Sequence, residues 1–301
     1  MNDYQLLCCH ENPHNGRVYF AKNNQRRWIP SGEHMKEYGF DWDLVKTYAA
    51  EQIASYELMS PLPHPRLEYR PGTMSVGEIR EFIGNQVCGK GVEFGAASSP
   101  FPTALESQVE YADLFDHSLI SSPYHNHHTY ARHEYVKCKY LTGMEVMVGI
   151  PDRSLDFIIA SHVIEHLRNP LQAMETAWTR LKPEGKLVLM VPHRDLTFDK
   201  NRDITSLEHI VLDYERPLKE RDFMHFYDFY ENAFVAPNPF EKAVEMFNSD
   251  ASDIHYHTWN EGSFLEMVQY FSDHIRKWSD ITYYPHLPNE QANEFYFILK
   301  K

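Results

Sequence analysis

His162, Glu165 and His166 form an H-x-x-E-H pattern, two imidazoles and a carboxylate close together in the chain. If a helix starts there, positions i, i+3 and i+4 share one face. Two nitrogen ligands and one oxygen ligand on one face suit a divalent metal. Histidine also moves protons near neutral pH, so His162 is a candidate for catalysis as well as for ligation. The same letters mark inverted zinc peptidases, in which the glutamate activates water within a long helix. Here Asn169-Pro170 follows closely and interrupts a long helix. A purely structural reading, packing and hydrogen bonding with no metal, stands beside both. His193, in the run His193-Arg194-Asp195, is placed to act as a general base toward a hydroxyl, or else is a turn residue. The histidine-rich stretch with His125, His127, His128 and His133 reads as a polar loop, with metal binding as the alternative. Cys8, Cys9, His10 and His14 have metal-like chemistry but poor spacing.

A second constellation is Glu93-Phe94-Gly95-Ala96-Ala97. An acid at a strand end followed by glycine lets backbone approach a nucleoside cofactor closely. Asp113, at the end of the next strand, is placed to accept hydrogen bonds from ribose hydroxyls. A structural turn with no ligand is the alternative.

These residues need elements to hold them. Residues 155–160 are an apolar strand, followed by the H-x-x-E-H motif, an amphipathic helix, a Lys-Pro-Glu-Gly turn and a second apolar strand at 187–191. That is a strand-helix-strand unit of a parallel sheet. The polar residues follow Ala160 and Val191, at the edge where such sheets bind ligands. Upstream, Ser75-x-x-Glu78 is a capping box opening a helix to about residue 86. Strands follow through Val92 and Phe94, over 108–114 and near 134–140. Nearer the start, Asn23-Asn24 suits a tight hairpin turn, Ser31 caps a short helix ending near Gly39, and 42–56 reads as a second helix. The proline-rich segment 61–72 reads as a linker. After Val191 a polar and aromatic insertion runs to about residue 255, then a helix (TWNEGSFLEMVQYF) and a closing strand (NEFYFILK).

Composition narrows the function. A chain of 301 residues with 43% hydrophobic residues can bury a sizeable core. A net charge of -14 argues against a phosphate-tracking nucleic-acid binder. No apolar run reaches the ~18 residues that span a bilayer. The first residues, MNDYQLLCCH, lack the pattern of a signal peptide, and the four cysteines show no disulfide spacing. A reduced, cytoplasmic setting is expected, with a small-molecule partner, no nucleic acid and no membrane span. The oligomeric state is unknown from sequence.

From residue 90 to 301 the chain resembles a class I S-adenosylmethionine-dependent methyltransferase. The matching motifs, in order, are VEFGAASSPFP, VEYADL, SLDFIIASHVIEHLRNP, LKPEGKLVLMVP, IHYHTWNEGSFLE and NEFYFIL. The resemblance implies an α/β Rossmann-like fold with S-adenosylmethionine as cofactor. Glu93, Gly95 and Ala96, with Ala97 in the same loop, would line its methionine side. Asp113 would hold the ribose, and Ser161 and His162 would pass beneath the sulfonium. H-x-x-E-H resembles the E-x-x-E-H of small-RNA 3′-end methyltransferases, in which a metal grips the acceptor hydroxyls and a further histidine arrives after the fifth strand. His255 and His257 stand in a comparable place, with His209 as another candidate. By that resemblance His162, Glu165, His166 and His257 would hold a divalent metal; the residues expected to serve catalysis are His162, His193 and His255.

The N-terminal piece, with RWIPS and then GFDWD, resembles a small module found beside bacterial glycan-modifying domains. Arg26, Arg27 and Trp28 would then face carbohydrate, or Trp28 is the module's core. Residues 1–70 are expected to be a small α+β interaction module and linker. Residues 71–301 are expected to be the methyltransferase domain, with an insertion at about 193–256. Phe223, Phe226, Tyr227, Phe229 and Tyr230 would stack on a sugar face or form the insertion's own core. The expected function is methyl transfer to a small polar acceptor, a hydroxyl of a sugar or glycan precursor, with metal assistance. The alternative is a non-catalytic binding or scaffold protein on the same fold, which the loss of glycines at Ala96, Ala97 and Ser98 favours.

Overall fold

The computed structural model describes residues 3–115, 134–249, 254–287 and 292–301. It comprises two compact units, Met1–Thr142 and Gly143–Lys301.

In the first unit, β1 (Gln5–Cys9), β2 (Arg17–Lys22) and β3 (Gln25–Ile29) form an antiparallel meander. Asn23 and Asn24, at φ 53° and 62°, supply the two left-handed positions of the β2–β3 turn. Side chains alternate between two apolar clusters: Leu6, Cys8, Val18 and Phe20 on one face, Leu7, Cys9, Tyr19 and Ala21 on the other. Helix α1 (Gly32–Glu37), capped by Ser31, supplies Met35 to the first cluster. The helix expected over 42–56 does not form. A single 3₁₀ turn (Trp42–Leu44) leads into β4 (Val45–Thr47), then α2 (Ala50–Ala54) and β5 (Glu57–Met59). Val45 and Thr47 are β-branched and pair in parallel with Leu6 and Cys8, so sheet pairing outweighs helical periodicity. The sheet runs β4-β1-β2-β3-β5.

Next comes α3 (Val76–Gly84), whose Ser75–Glu78 capping box is formed in both directions. Three parallel strands follow: β6 (Lys90–Phe94), β7 (Gln108–Asp113) and β8 (Cys138–Leu141). No helix lies between β6 and β7. Pro100 and Pro102 hold that connection extended, and it passes against the end of α3. A methyl group on Gly84 would lie 2.0 Å from the Pro102 carbonyl oxygen, so only glycine fits there.

In the second unit, β9 (Leu155–Ser161) is followed by α4 (Pro170–Arg180) and β10 (Leu181–Pro192), parallel to β9. Asn169 caps α4 and Pro170 occupies its first turn. The Lys-Pro-Glu-Gly turn is a register shift between Leu181 and Lys186 inside β10. The insertion folds as α5 (Leu207–Glu215), α6 (Lys219–Asp228), a π turn (Phe229–Ala233) and α7 (Pro239–Ser249). Then come α8 (Glu261–His274), β11 (Asp280–Tyr284) and β12 (Glu294–Lys300). Strand β12 runs antiparallel to β10 and β11, giving the order β11-β12-β10-β9. The edge strand β11 was not anticipated, because its residues are polar and largely half-exposed.

Three parallel strands in one unit and four strands in the other make up the strand complement of the α/β Rossmann-like methyltransferase fold. No helix among the described residues is long and apolar enough to cross a membrane.

Candidate active site and metal-ligand clusters

β9 delivers Ser161 and then His162, which sits at φ 52°, a left-handed conformation uncommon for a residue with a side chain. Two contacts hold it: its N–H donates to Met190 O at 3.0 Å, and its Nε2 lies 2.7 Å from Glu294 Oε2. Tyr296 donates to the other Glu294 oxygen at 2.7 Å. The chain then makes one 3₁₀ turn, Ile164–His166, rather than an α-helix. The three motif residues therefore do not share a helix face. They converge on the Glu165 carboxylate instead.

Glu165 is fully buried, and neither of its carboxylate oxygens has a hydrogen-bond partner among the described residues. Its Oε1 lies 3.7 Å from His162 Nδ1, 3.9 Å from His166 Nε2 and 4.0 Å from His255 Nε2. His255 arrives because the following Tyr256 N–H donates to the Glu165 carbonyl at 2.7 Å. Its far nitrogen, Nδ1, contacts Asp199 Oδ2 at 2.5 Å, and Arg202 holds the second Asp199 oxygen at 2.9 Å. Burial raises the Glu165 carboxyl above the usual range, against His162 and His255. Burial also pushes His166 down to about 4, with His255 adding to the effect, so its ring is neutral near pH 7. A buried carboxylate without hydrogen bonds is costly unless a cation meets it. Glu165, His166 and His255 have ligand atoms within 4.8 Å of one another, and an ion among them would satisfy Glu165. A carboxylate behind a ligating histidine is the usual outer shell of such centres.

His257, expected beside Glu165, lies instead in a second cluster with His209 and His225. His193 belongs to a third, with Glu261 and His286. Its Nε2 is 3.1 Å from Glu261 Oε2 and its Nδ1 accepts the Asp195 N–H at 3.2 Å, so both ring nitrogens are engaged. His125, His127, His128 and His133 lie outside the described residues.

In the first unit, Glu93, the penultimate residue of β6, has one oxygen accepting the Phe101 N–H at 2.8 Å. Its other oxygen has no partner among the described residues. Burial pushes its carboxyl up to about 8. Gly95 (φ 70°) and Ala97 (φ 46°) both turn the loop through left-handed conformations, and Ala96 between them is buried. Asp113, at the end of β7, accepts the Leu114 N–H at 2.7 Å.

Two groups for which carbohydrate contact and a core role both stood open are turned inward. Arg26 and Arg27 are 1% and 8% exposed. Arg26 pairs with Glu134, and Arg27 donates to the Ser60, Thr103 and Ala104 carbonyls. Trp28 is partly buried against the Leu7–Tyr19 cluster. Phe226 and Tyr230, with Phe223, Tyr227 and Phe229 packed against them, are a core of the insertion. β3 is covered on both faces, so Arg26 and Arg27, which point to opposite faces, are both enclosed, and the i, i+3, i+4 spacing of Phe223, Phe226 and Tyr227 puts them on one face of α6.

Asp199, Glu294, Glu261, His286, His225 and Asp213 were not singled out by sequence. Glu294 had the clearest signal, an acid opening an otherwise apolar strand.

A family described as "Methyltransferase domain" matches residues 66–271. The chain belongs to the methyltransferase-domain family. Solved structures similar to this methyltransferase-domain chain include the citrinin polyketide synthase CMeT domain (12% identity, TM-score 0.39, 74% of this chain and 51% of that one). Another is the CurJ carbon methyltransferase (13%, 0.40, 74% and 52%). A third is an S-adenosylmethionine-dependent methyltransferase from Thermotoga maritima (15%, 0.35, 70% and 81%). The chain thus spans about half the length of the first two. Likenesses at these scores carry no argument about substrate. No curated protein matches the chain.

Proposed function

We propose that this chain transfers a methyl group from S-adenosylmethionine to a hydroxyl of a small polar acceptor, a sugar or glycan precursor, with a divalent cation held by Glu165, His166 and His255. Family membership supports the donor. The observation that carries the metal is the Glu165 carboxylate, buried, without hydrogen bonds and ringed by imidazole nitrogens at 3.7–4.0 Å. Glu93, Gly95, Ala96, Ala97, Asp113 and Ser161 are assigned to the cofactor. Residues 71–301 carry the transfer in this reading, and residues 1–70 are an interaction module.

Methyl transfer is an in-line displacement. The acceptor oxygen attacks the methyl carbon, the carbon–sulfur bond breaks, the sulfonium becomes a neutral thioether, and the acceptor loses its proton. When bound, the cation would lower the pKa of an acceptor hydroxyl and fix its position. His162 is assigned as the proton acceptor. With Nε2–H directed to Glu294, its Nδ1 carries the lone pair, and Glu294 would stabilise the imidazolium. Asp199 orients His255. Adjacent hydroxyls of a sugar suit chelation by such a centre, which is the support for that acceptor class.

The test is methyl transfer from methyl-labelled S-adenosylmethionine to a panel of sugars and nucleotide sugars. The expected result is labelled product, lost on chelation and reduced about 10²-fold or more by His162→Gln. Transfer untouched by chelation would remove the metal, and transfer to none of the panel would remove the sugar. A second reading, a binding protein on this fold, is favoured by Ala97 at φ 46° where glycine would be unstrained. Failure of the wild-type chain to bind the cofactor selects it.

A further inference from the structure

The insertion holds a cluster separate from the one around Glu165, built by three segments. α5 presents His209 and Asp213, α6 presents His225, and the stretch before α8 presents His257. His257 is 0% exposed and His225 5%. The outer nitrogen of each ring is close to a backbone carbonyl: His225 Nδ1 is 2.9 Å from Tyr256 O, and His257 Nε2 is 3.3 Å from Arg168 O. A carbonyl only accepts, so those nitrogens carry the protons. The inner nitrogens, His225 Nε2 and His257 Nδ1, are left as lone pairs. This is the arrangement by which outer hydrogen bonds set a ligating histidine's tautomer.

The inner atoms converge. His209 Nε2 lies 3.2 Å from His225 Nε2 and 3.1 Å from Asp213 Oδ2. His225 Nε2 is 3.6 Å from the same oxygen. A tetrahedron with zinc–ligand bonds of about 2.0–2.1 Å has edges of about 3.3–3.4 Å, close to all three of these separations. The ligand atom of His257 lies within 4.8 Å of those of His209 and His225. Among the described residues, neither His257 Nδ1 nor Asp213 Oδ2 has an aligned hydrogen-bond partner, although both atoms are buried. Arg221 holds the other Asp213 oxygen at 2.5 Å, which aims Oδ2 at the histidines. A pocket lined by Arg168, Asn169, Asp213, Lys219 and Arg221 opens beside the cluster and offers a route in.

We infer that zinc is bound by His209, His225 and His257, whose ligand atoms group together, and draws in the neighbouring Asp213 as its fourth ligand, pinning α5 and α6 to the segment leading into α8. Three nitrogens and one carboxylate oxygen are a zinc donor set. Four protein ligands leave no open position, so the site is structural. It stands independently of the proposed function, since none of its ligands is assigned to cofactor, acceptor or the Glu165 centre.

The experiment is zinc stoichiometry and cobalt(II) absorption on the full chain carrying Glu165→Gln, which removes the other centre. The expected result is one equivalent of zinc, cobalt bands of tetrahedral intensity, and a lower Tm after chelation. Adding His209→Ala, or separately Asp213→Asn, should abolish that equivalent and the bands while circular dichroism stays folded. His209 is partly exposed, and Asp213→Asn keeps side-chain volume, so at least one variant reads out in a folded protein. Absence of zinc and cobalt binding in Glu165→Gln overturns the site and leaves a hydrogen-bonded histidine network. So does an equivalent that survives both added substitutions.

Discussion

His255 Nδ1 lies 2.5 Å from Asp199 Oδ2, and this contact decides which ring nitrogen faces Glu165. A proton shared with Asp199 on one side leaves the Nε2 lone pair on the other, directed into the cluster with Glu165 and His166. Arg202 anchors Asp199 and also donates to the His255 carbonyl at 2.8 Å, so the aim of the ring is set by buried charge rather than by its neighbours in sequence.

Replacing Asp199 by Asn keeps the volume and removes the charge. Metal affinity at Glu165 should fall about 10- to 100-fold, the usual effect of an outer-shell change, with S-adenosylhomocysteine affinity unchanged. Titration calorimetry with manganese and zinc reads both. Unaltered metal affinity would mean that Asp199 serves folding alone.

Glu93 gives a pH signature in the cofactor-free protein. Its folded carboxyl titrates at about 8 against an ordinary 4.5, because it is buried. Between those values the folded chain holds a proton that the unfolded chain has released. The contribution is therefore full below pH 4.5 and is lost as pH rises through 8. Glu93→Gln cannot titrate, so it should gain on wild type by up to about 1.4 kcal/mol per pH unit in that window. Urea unfolding at pH 5 and pH 8 measures the difference. A stability gap that does not change with pH would contradict the assignment.

Gly84→Ala should destabilise the first unit by about 1–3 kcal/mol. Helix propensity favours alanine by about 1 kcal/mol, but the added methyl meets the Pro102 carbonyl at 2.0 Å. The same connection carries Phe101 N–H to Glu93, so cofactor affinity should drop with stability. Chemical denaturation and a binding titration on one sample test this, and a neutral variant would show that the connection yields.

The parallel strands were legible because β9 and β10 are buried on both faces and read as apolar runs between turn signals. The caps at Ser31 and Ser75 and the Asn23-Asn24 turn were legible too, since their chemistry is local. β4 and β11 were not, because their residues gain strand structure only from partners far away in sequence. The histidines divide in the same way. H-x-x-E-H announced a cluster around Glu165, but the choice between His255 and His257 rests on Asp199, Arg202 and the Glu165 carbonyl. No spacing rule encodes those contacts. Arg26 and Arg27 misled for a related reason: charge suggests surface, while carbonyls and Glu134 from later in the chain enclose both guanidiniums.

The most direct test is calorimetric titration of S-adenosylmethionine and S-adenosylhomocysteine into wild type, Asp113→Ala and His255→Ala, with metal content assayed on the same samples. Wild type should bind both ligands. Asp113→Ala should lose about 10- to 100-fold in affinity through its charged hydrogen bonds, and His255→Ala should keep cofactor affinity while losing metal. No binding by wild type with or without added metal, or equal loss of cofactor affinity in the two variants, would contradict these assignments.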